Sequence, residues 1–487
     1  MSARHLGLLA LAAAAALALP ASGIAQDSTA VPVPGLRDST HADSSRGSHP
    51  LKHPLRAVLW ATEVNVLVNR LDAWVFNVHD PVDGYYARVT PRSWSANVRQ
   101  GWEWDGDKFA TNMFLHPNQG AAYFRAGRSN GLNFWESTPL TFLGSLEWEF
   151  FGETTSPSLN DLYNTAFGGI VLGEVTWRLA SLVRDNRARG IGRVLRELAA
   201  VPFDPNGSVG RLFTGDAWRA YANTRGSYPD AFGWQFQAGA QVDEAATGTS
   251  RGPVAAGFLA EMSYGDAFVT PYVQPFDVFT ARVRASTSGA NVRELRVAGR
   301  LYARELTEAG STFRHILPVT QKLEYEASPA YKYGGQSLDI GLVSEFAGAR
   351  GLDVQTALYA EGIVLGAVDA PRAGLAGTPR TYDFGPGVGF DLAAKLRVGG
   401  FPVLTARWHG AYVHSVSGSP ADHYIQFPSV EAAVPLVGSF GIGAYVGWFH
   451  RRSTYTGQPG EATSAPEWRV YAVSNAHLGP LPVESAP

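Results

Sequence analysis

The chain has 487 residues and no cysteine, which excludes disulfides, thiol redox centres and thiolate zinc sites. Charged residues make up 17% and the chain holds 53 glycines, a balance that excludes a disordered charged-tail protein and a long charged coiled coil. A net charge of -3 supplies no bulk drive toward nucleic acid, and no nucleic-acid partner is expected.

Residues 1–25 open with Arg4 and His5, continue as an apolar run from Leu6 to Leu19, and end on Gly23 and Ala25 at the spacing of a signal-peptidase site. Export follows as an expectation. Residues 26–50 are rich in Ser, Pro, Asp and Gly without an apolar period, and read as a disordered linker. From 51 to 225 the rhythm becomes helical. Val58, Leu59, Ala61, Val64 and Leu71 predict a helix over Leu55 to Phe76, and a second is predicted over Trp135 to Phe151. A third runs from Ser158 to Asp185, with Ser158 as N-cap and Asp161 in the positive first turn. Thr165, Gly169 and Gly173 recur every four residues and predict a ridge on which another helix packs closely. Glu174 and Arg178 form an i,i+4 pair.

This module carries the residues capable of chemistry. Glu147, Glu149, Glu153, Asp161, Asn164 and Glu174 are candidates to converge with His116, where a carboxylate beside a histidine would act as a general base or bind a divalent metal. The candidate catalytic set is His116, Glu149, Glu153, Asp161 and Asn164. The competing reading has these groups cap helices and pair with Arg125, Arg128 and Arg178. Glu147 and Glu149 would point about 160° apart on one helix, so they enter one site only if that segment is extended. HExxH and Walker A sequences are absent, and no cofactor is expected.

Several segments carry a family likeness: His116-Pro117, Arg128-Ser129-Asn130-Gly131, Phe134-Trp135-Glu136-Ser137, Gly144 to Glu153, and Pro157 to Gly169. Over roughly residues 55–220 the chain resembles the bacterial family known as domain of unknown function 3943. The resemblance implies an outer-membrane protein and brings no activity with it. A fainter likeness is to VanZ-like membrane proteins, with Glu149 and Glu153 ahead of Asp161-Leu162-Tyr163-Asn164 and Gly168-Gly169. The basic residue expected between those halves is missing from Thr154 to Ser158.

Residues 226–487 alternate apolar and polar side chains in segments of about ten, separated by turn clusters, as transmembrane strands do. Phe232, Trp234, Phe236, Ala238 and Ala240 share one face, against Gln235, Gln237 and Gln241 on the other. Leu295, Val297, Gly299, Leu301 and Ala303 likewise oppose Glu294, Arg296, Arg300 and Arg304. Twelve segments are expected, beginning near residues 231, 254, 276, 291, 311, 335, 353, 382, 402, 423, 437 and 466. Arg282, Arg284, Glu294, Arg296, Arg300, Lys322, Glu324, Glu326, Asp339, Glu345, Lys395, Arg397 and Arg407 would face a partly filled lumen. Gly385 to Gly389 reads as a bend within a strand, and His409 as a lumen residue.

The resulting expectation is an α+β chain: an N-terminal helical module on the periplasmic side, then an antiparallel transmembrane β-barrel of about 12 strands in the bacterial outer membrane. Its expected partners are outer-membrane lipids and an envelope component. Its expected role is structural or transport-type. The rivals are an envelope lipid-modifying enzyme and an envelope-polymer binding module that uses Trp102, Trp104, Trp135 and Trp148.

Overall fold

The computed structural model describes residues 51–79, 84–221, 223, 228–244, 251–308, 311–348, 351–374 and 380–478. The expected signal peptide and linker lie outside these residues.

Alternating apolar and polar residues suit a pleated strand with two different environments, and residues 232–478 form twelve such strands. They are β1 (Phe232–Glu244), β2 (Arg251–Tyr264), β3 (Phe279–Ser286), β4 (Val292–Glu305), β5 (Phe313–Ala327) and β6 (Lys332–Ala347), followed by β7 (Leu352–Asp369), β8 (Tyr382–Val398), β9 (Phe401–His414), β10 (Ala421–Val437), β11 (Phe440–Tyr455) and β12 (Gln458–Leu478). Each pairs antiparallel with its sequence neighbour, and β1 closes on β12 with Ala240 opposite Val470. Closure leaves no edge with unpaired backbone groups, as a membrane requires.

Contacts between strands that are not neighbours in the wall identify the inward face. Arg284 on β3 pairs with Glu467 on β12, Arg296 on β4 with Asp391 on β8, and Lys322 on β5 with Glu361 on β7. His409 on β9 reaches Glu361 at 3.3 Å and Glu324 on β5 at 3.5 Å. An aromatic group that includes Tyr333, Phe427, Tyr445 and Phe449 fills the neighbouring space, with Phe427 and Phe449 stacked at 4.3 Å. The lumen is therefore packed.

Alternation sends the intervening residues outward, where Phe258, Val388, Val434, Ile442 and Val470 are exposed and Trp408, Trp448 and Trp468 stand among them. An apolar wall around a polar interior is the arrangement of a barrel that spans a bilayer. A bulge in β4 between Arg300 and Tyr302 corrects one expected face. The extra residue reverses the alternation, so Tyr302 is half exposed and Ala303 packs with Phe268, Ile316 and Val343.

The module's helices are α1 (Pro54–Arg70), α2 (Pro91–Gln100), α3 (His116–Arg128), α4 (Phe134–Glu147), α5 (Leu159–Tyr163), α6 (Gly169–Val183), α7 (Gly190–Ala200) and α8 (Pro205–Thr214). Four π-turns extend or join them: Leu71–Val75 after α1, Thr111–Leu115 before α3, Trp148–Gly152 after α4, and Asn164–Gly168 between α5 and α6. The small-residue ridge packs as its spacing predicts. A Cβ on Gly120 of α3 would stand 1.8 Å from the Thr165 carbonyl oxygen, and one on Gly169 would stand 2.6 Å from the Gly120 Cα. Only glycine permits that crossing. Buried cations hold the remaining helices: Glu174 pairs with Arg128 and Arg178, each at 2.8 Å, and Arg184 meets Asp204 at 3.1 Å.

The module lies along the outside of the barrel. Gln321 and Tyr325 alternate with the lumen residues Lys322 and Glu324 and so point outward; Gln321 donates to the Phe167 carbonyl at 3.1 Å, and Tyr325 meets the Phe114 ring at 4.5 Å. Near the rim that carries both strand termini, Phe134 stacks on Phe276 and Arg178 donates to the Pro275 carbonyl at 2.9 Å. Near the opposite rim, Phe109 packs edge-on against Tyr382 at 4.9 Å.

Candidate functional site

Three of the four π-turns converge on one buried polar cluster. A π-turn inserts one residue into a helix and so aims a side chain that a regular helix would place elsewhere, a device frequent at functional sites. Asn112, Glu149 and Asn164 are the residues so placed. His116 begins α3, and Asp161 lies in the first turn of α5, where Ser158 caps the helix by accepting from the Asp161 N–H at 3.3 Å.

His116 Nε2 stands 3.2 Å from Asp161 Oδ1 and 3.8 Å from Asp107 Oδ2. Asn160 Nδ2 donates to Asp105 (2.8 Å), Asp161 (2.9 Å) and Asn112 (3.0 Å). Asn164 Nδ2 donates to Asn112 Oδ1 at 3.0 Å, while its own oxygen accepts from Gln336 on β6 at 2.9 Å. Asn112 Nδ2 donates to the Tyr382 hydroxyl at 2.8 Å, and that hydroxyl donates to the Asp107 carbonyl at 2.9 Å. Glu149 accepts from the Ser158 N–H at 2.7 Å. The barrel wall thus completes the cluster through Gln336 and Tyr382.

Two glutamates outside the membrane-crossing strands show how crowded the carboxylates are. Burial, followed by the charges of Asp105 and Asp107, pushes Glu149 up to about 8 despite the Ser158 hydrogen bond. Burial, and then Glu149, raises Glu153 well above the usual carboxylate range. Charged forms are disfavoured where water is excluded and like charges face one another. The geometry sets the Asp161 carboxylate against the His116 imidazole, the pairing that general acid–base chemistry uses.

The predicted set His116, Asp161 and Asn164 comes together, with Glu149 joined through Ser158. Glu153 stands half-buried beside them, its backbone carbonyl accepting from Asn97 at 2.9 Å. Glu147 turns away, accepting from Thr62 at 3.0 Å and Asn65 at 3.3 Å, as its two-residue offset from Glu149 demands. Glu174 belongs to the separate Arg128–Arg178 group. Asp105, Asp107, Asn112 and Asn160 were missed; the signal for the first three was the concentration of Asp and Asn between Trp104 and Asn118, and for Asn160 only its place beside Asp161. Of the four tryptophans, Trp148 is buried, Trp104 packs on Phe384, Trp102 packs on Phe150 and Trp135 is exposed.

Among the described residues, one His–carboxylate group is close enough to share an ion: Glu324, Glu361 and His409 in the lumen. Lys322 Nζ already sits 3.1 Å from Glu324 and is also bonded to Glu361, so an ion would enter only by displacing that ammonium.

A closed antiparallel barrel with an apolar outer wall and a charged, packed lumen is a bacterial outer-membrane barrel, here with a helical module on its flank. Within that class, residues 101–206 match the family described as Domain of unknown function (DUF3943), and this stretch holds every cluster residue that the module contributes. No curated protein matches the chain. Among solved structures, the NanC porin is 8% identical, with 49% of this chain and 98% of that one covered and a TM-score of 0.26. OmpT, an outer membrane protein of Vibrio cholerae, is 9% identical over 50% of this chain and 96% of that one, with a TM-score of 0.20. The outer membrane channel DcaP of Acinetobacter baumannii is 7% identical over 50% and 96%, with a TM-score of 0.21.

Proposed function

We propose that the protein is a structural component of the bacterial outer membrane whose barrel is sealed by its own side chains and conducts no solute. The observation that carries this reading is the set of charge pairs Arg284–Glu467, Arg296–Asp391 and Lys322–Glu361, each of which links strands that are not neighbours in the wall. A continuous path would have to separate them, and stranding one partner of a buried pair costs about 3–5 kcal/mol. The test is planar-bilayer recording of the purified chain. The expected record has no steady conductance, and stepwise ohmic channels from the wild-type protein would overturn the proposal.

The convergence of His116, Asp161 and Asp107 favours a second reading, an enzyme acting on an envelope lipid. In it Asp161 orients the His116 imidazole, which takes or gives a proton. His116→Ala and Asp161→Ala would then leave a heat-modifiable, folded barrel while abolishing lipid turnover by outer-membrane preparations. Equal loss of folded barrel in both variants would overturn this reading in favour of the structural one.

A further inference from the structure

Three helices of the module, α1, α7 and α8, carry large apolar side chains on their exposed faces. On α1 two asparagines face inward beside Ala57, Ala61 and Val64: Asn65 donates to the Gly144 carbonyl at 2.9 Å, and Asn69 to the Ala87 and Gly152 carbonyls at 2.8 and 2.7 Å, while Glu63 and Arg70 are exposed. Leu55, Leu59, Val66 and Leu67 of the same helix are exposed. On α7, Arg193 is buried and donates to the Ala217 and Asn186 carbonyls, each at 2.7 Å, and Glu197 pairs with Arg211 at 2.7 Å. Ile191, Val194, Leu195 and Leu198, at spacings of three, four and seven, form an exposed stripe. Val209, Leu212 and Phe213 continue it on α8, with Phe213 87% exposed. In water such surfaces would be contiguous apolar patches of the kind that soluble monomers avoid.

The medium that covers them is indicated by what adjoins them. The module is docked on a wall whose own outward residues are apolar: on β6, Gln336 touches the module, while Leu338 and Ile340 beyond it are exposed. The helix Leu159–Val183, continuous through its π-turn, has 25 residues; most of it is buried within the protein, and by length and composition alone it could cross a membrane. At about 1.5 Å per residue it measures roughly 37 Å, against a hydrocarbon core of about 30 Å. Its contacts run from Gln336 near one rim to Pro275 near the other, so it extends alongside the strands. Arg187, Arg189 and Arg196 are exposed around α7, placed to meet phosphate headgroups at an interface.

We infer that the module is seated in the bilayer beside the barrel, with acyl chains of membrane lipid against the outward faces of α1, α7 and α8, in place of the periplasmic-side position expected from sequence. This rests on the outer-membrane reading of the barrel. The absence of native cysteine allows a direct test. Single nitroxide labels are attached at Leu59→Cys, Leu195→Cys and Phe213→Cys, all at exposed positions, with Val434→Cys on the wall and Thr456→Cys in the β11–β12 turn as references. Each protein is reconstituted in phosphatidylethanolamine–phosphatidylglycerol vesicles. The expected result is that the three module labels match Val434, with collisions with oxygen exceeding those with a water-soluble nickel chelate. Labels that match Thr456 while Val434 remains oxygen-rich would place the module in water and overturn the inference. Immobilised labels shielded from both reagents would mean that protein covers these faces, which overturns it equally. A nickel-accessible Val434 would instead refute the barrel reading itself.

Discussion

Arg284 on β3 and Glu467 on β12 are ion-paired across the lumen although β1 and β2 stand between their strands in the wall. Arg284 also meets Glu326 and Glu294, so one guanidinium joins three carboxylates in the lumen. Arg284→Met leaves Glu326 without a cation, while Glu467 keeps Arg469 and Glu294 keeps Arg282, and it is expected to destabilise the barrel by about 3–5 kcal/mol. Glu467→Gln removes one of three and should cost less. Urea midpoints of the heat-modifiable form in micelles check the order, and equal or negligible losses would refute it.

The crossing of α3 over α6 depends on two hydrogens in place of two methyl groups. Gly169→Val would drive its Cβ into the Gly120 backbone, and overpacking of this kind costs about 1–3 kcal/mol. Gly192→Val on α7, where a Cβ meets nothing within 4 Å, is the matched control. Limited proteolysis of the module should accelerate in the first variant and not in the second.

Gln336 is the point at which the wall enters the polar cluster. Gln336→Leu leaves the Asn164 amide oxygen buried without its donor, an omission worth about 1–3 kcal/mol. Hydrogen exchange should quicken around Asn112 and Asn164 while the amides of β10 and β11 keep their protection. Loosening of the whole barrel would contradict this local role.

Glu149 makes the module's stability depend on pH. Its folded value of about 8 lies above its ordinary 4.5, so its protonated form is the one favoured by folding. That contribution is complete below about 4.5 and is lost as pH rises through about 8. Glu149→Gln keeps an acceptor for the Ser158 N–H and should flatten the decline. Thermal midpoints followed from pH 4.5 to 8 test this, and parallel curves for wild type and variant would refute it.

Much of the barrel was legible because strand periodicity states both the element and its two environments. The expected starts at 382 and 402 meet β8 and β9 at Tyr382 and Phe401, and the lumen charges on β3 to β5 lie where alternation put them. The start of β12 was missed by eight residues, 466 against Gln458, because Gln458 to Ala465 lack a clear apolar alternation. The face of β4 beyond Arg300 was illegible since a bulge leaves no compositional mark. Ser158 announced its helix through capping chemistry. Helix α3 was not seen, because His116, Asn118 and Gln119 interrupt its apolar pattern and tertiary packing overrides the weak propensity of its glycines. The candidate site was half legible: residue types flagged His116 and Asp161, whereas the contributions of Gln336 and Tyr382 come from strands more than 150 residues away, as the 172-residue separation of Gln336 and Asn164 shows.

The π-turns at Thr111–Leu115, Trp148–Gly152 and Asn164–Gly168 each carry one residue more than an unbroken α-helical ladder would accommodate. Excising a single residue from Asn164–Gly168, which joins α5 to α6, would mend the ladder and keep the helix, yet turn everything on one side by about 100° relative to the other. Diverged homologues should therefore differ by one-residue gaps in the middle of helices, positions where indels are ordinarily purged, and a homologue that has lost the gap residue should have lost the polar cluster with it.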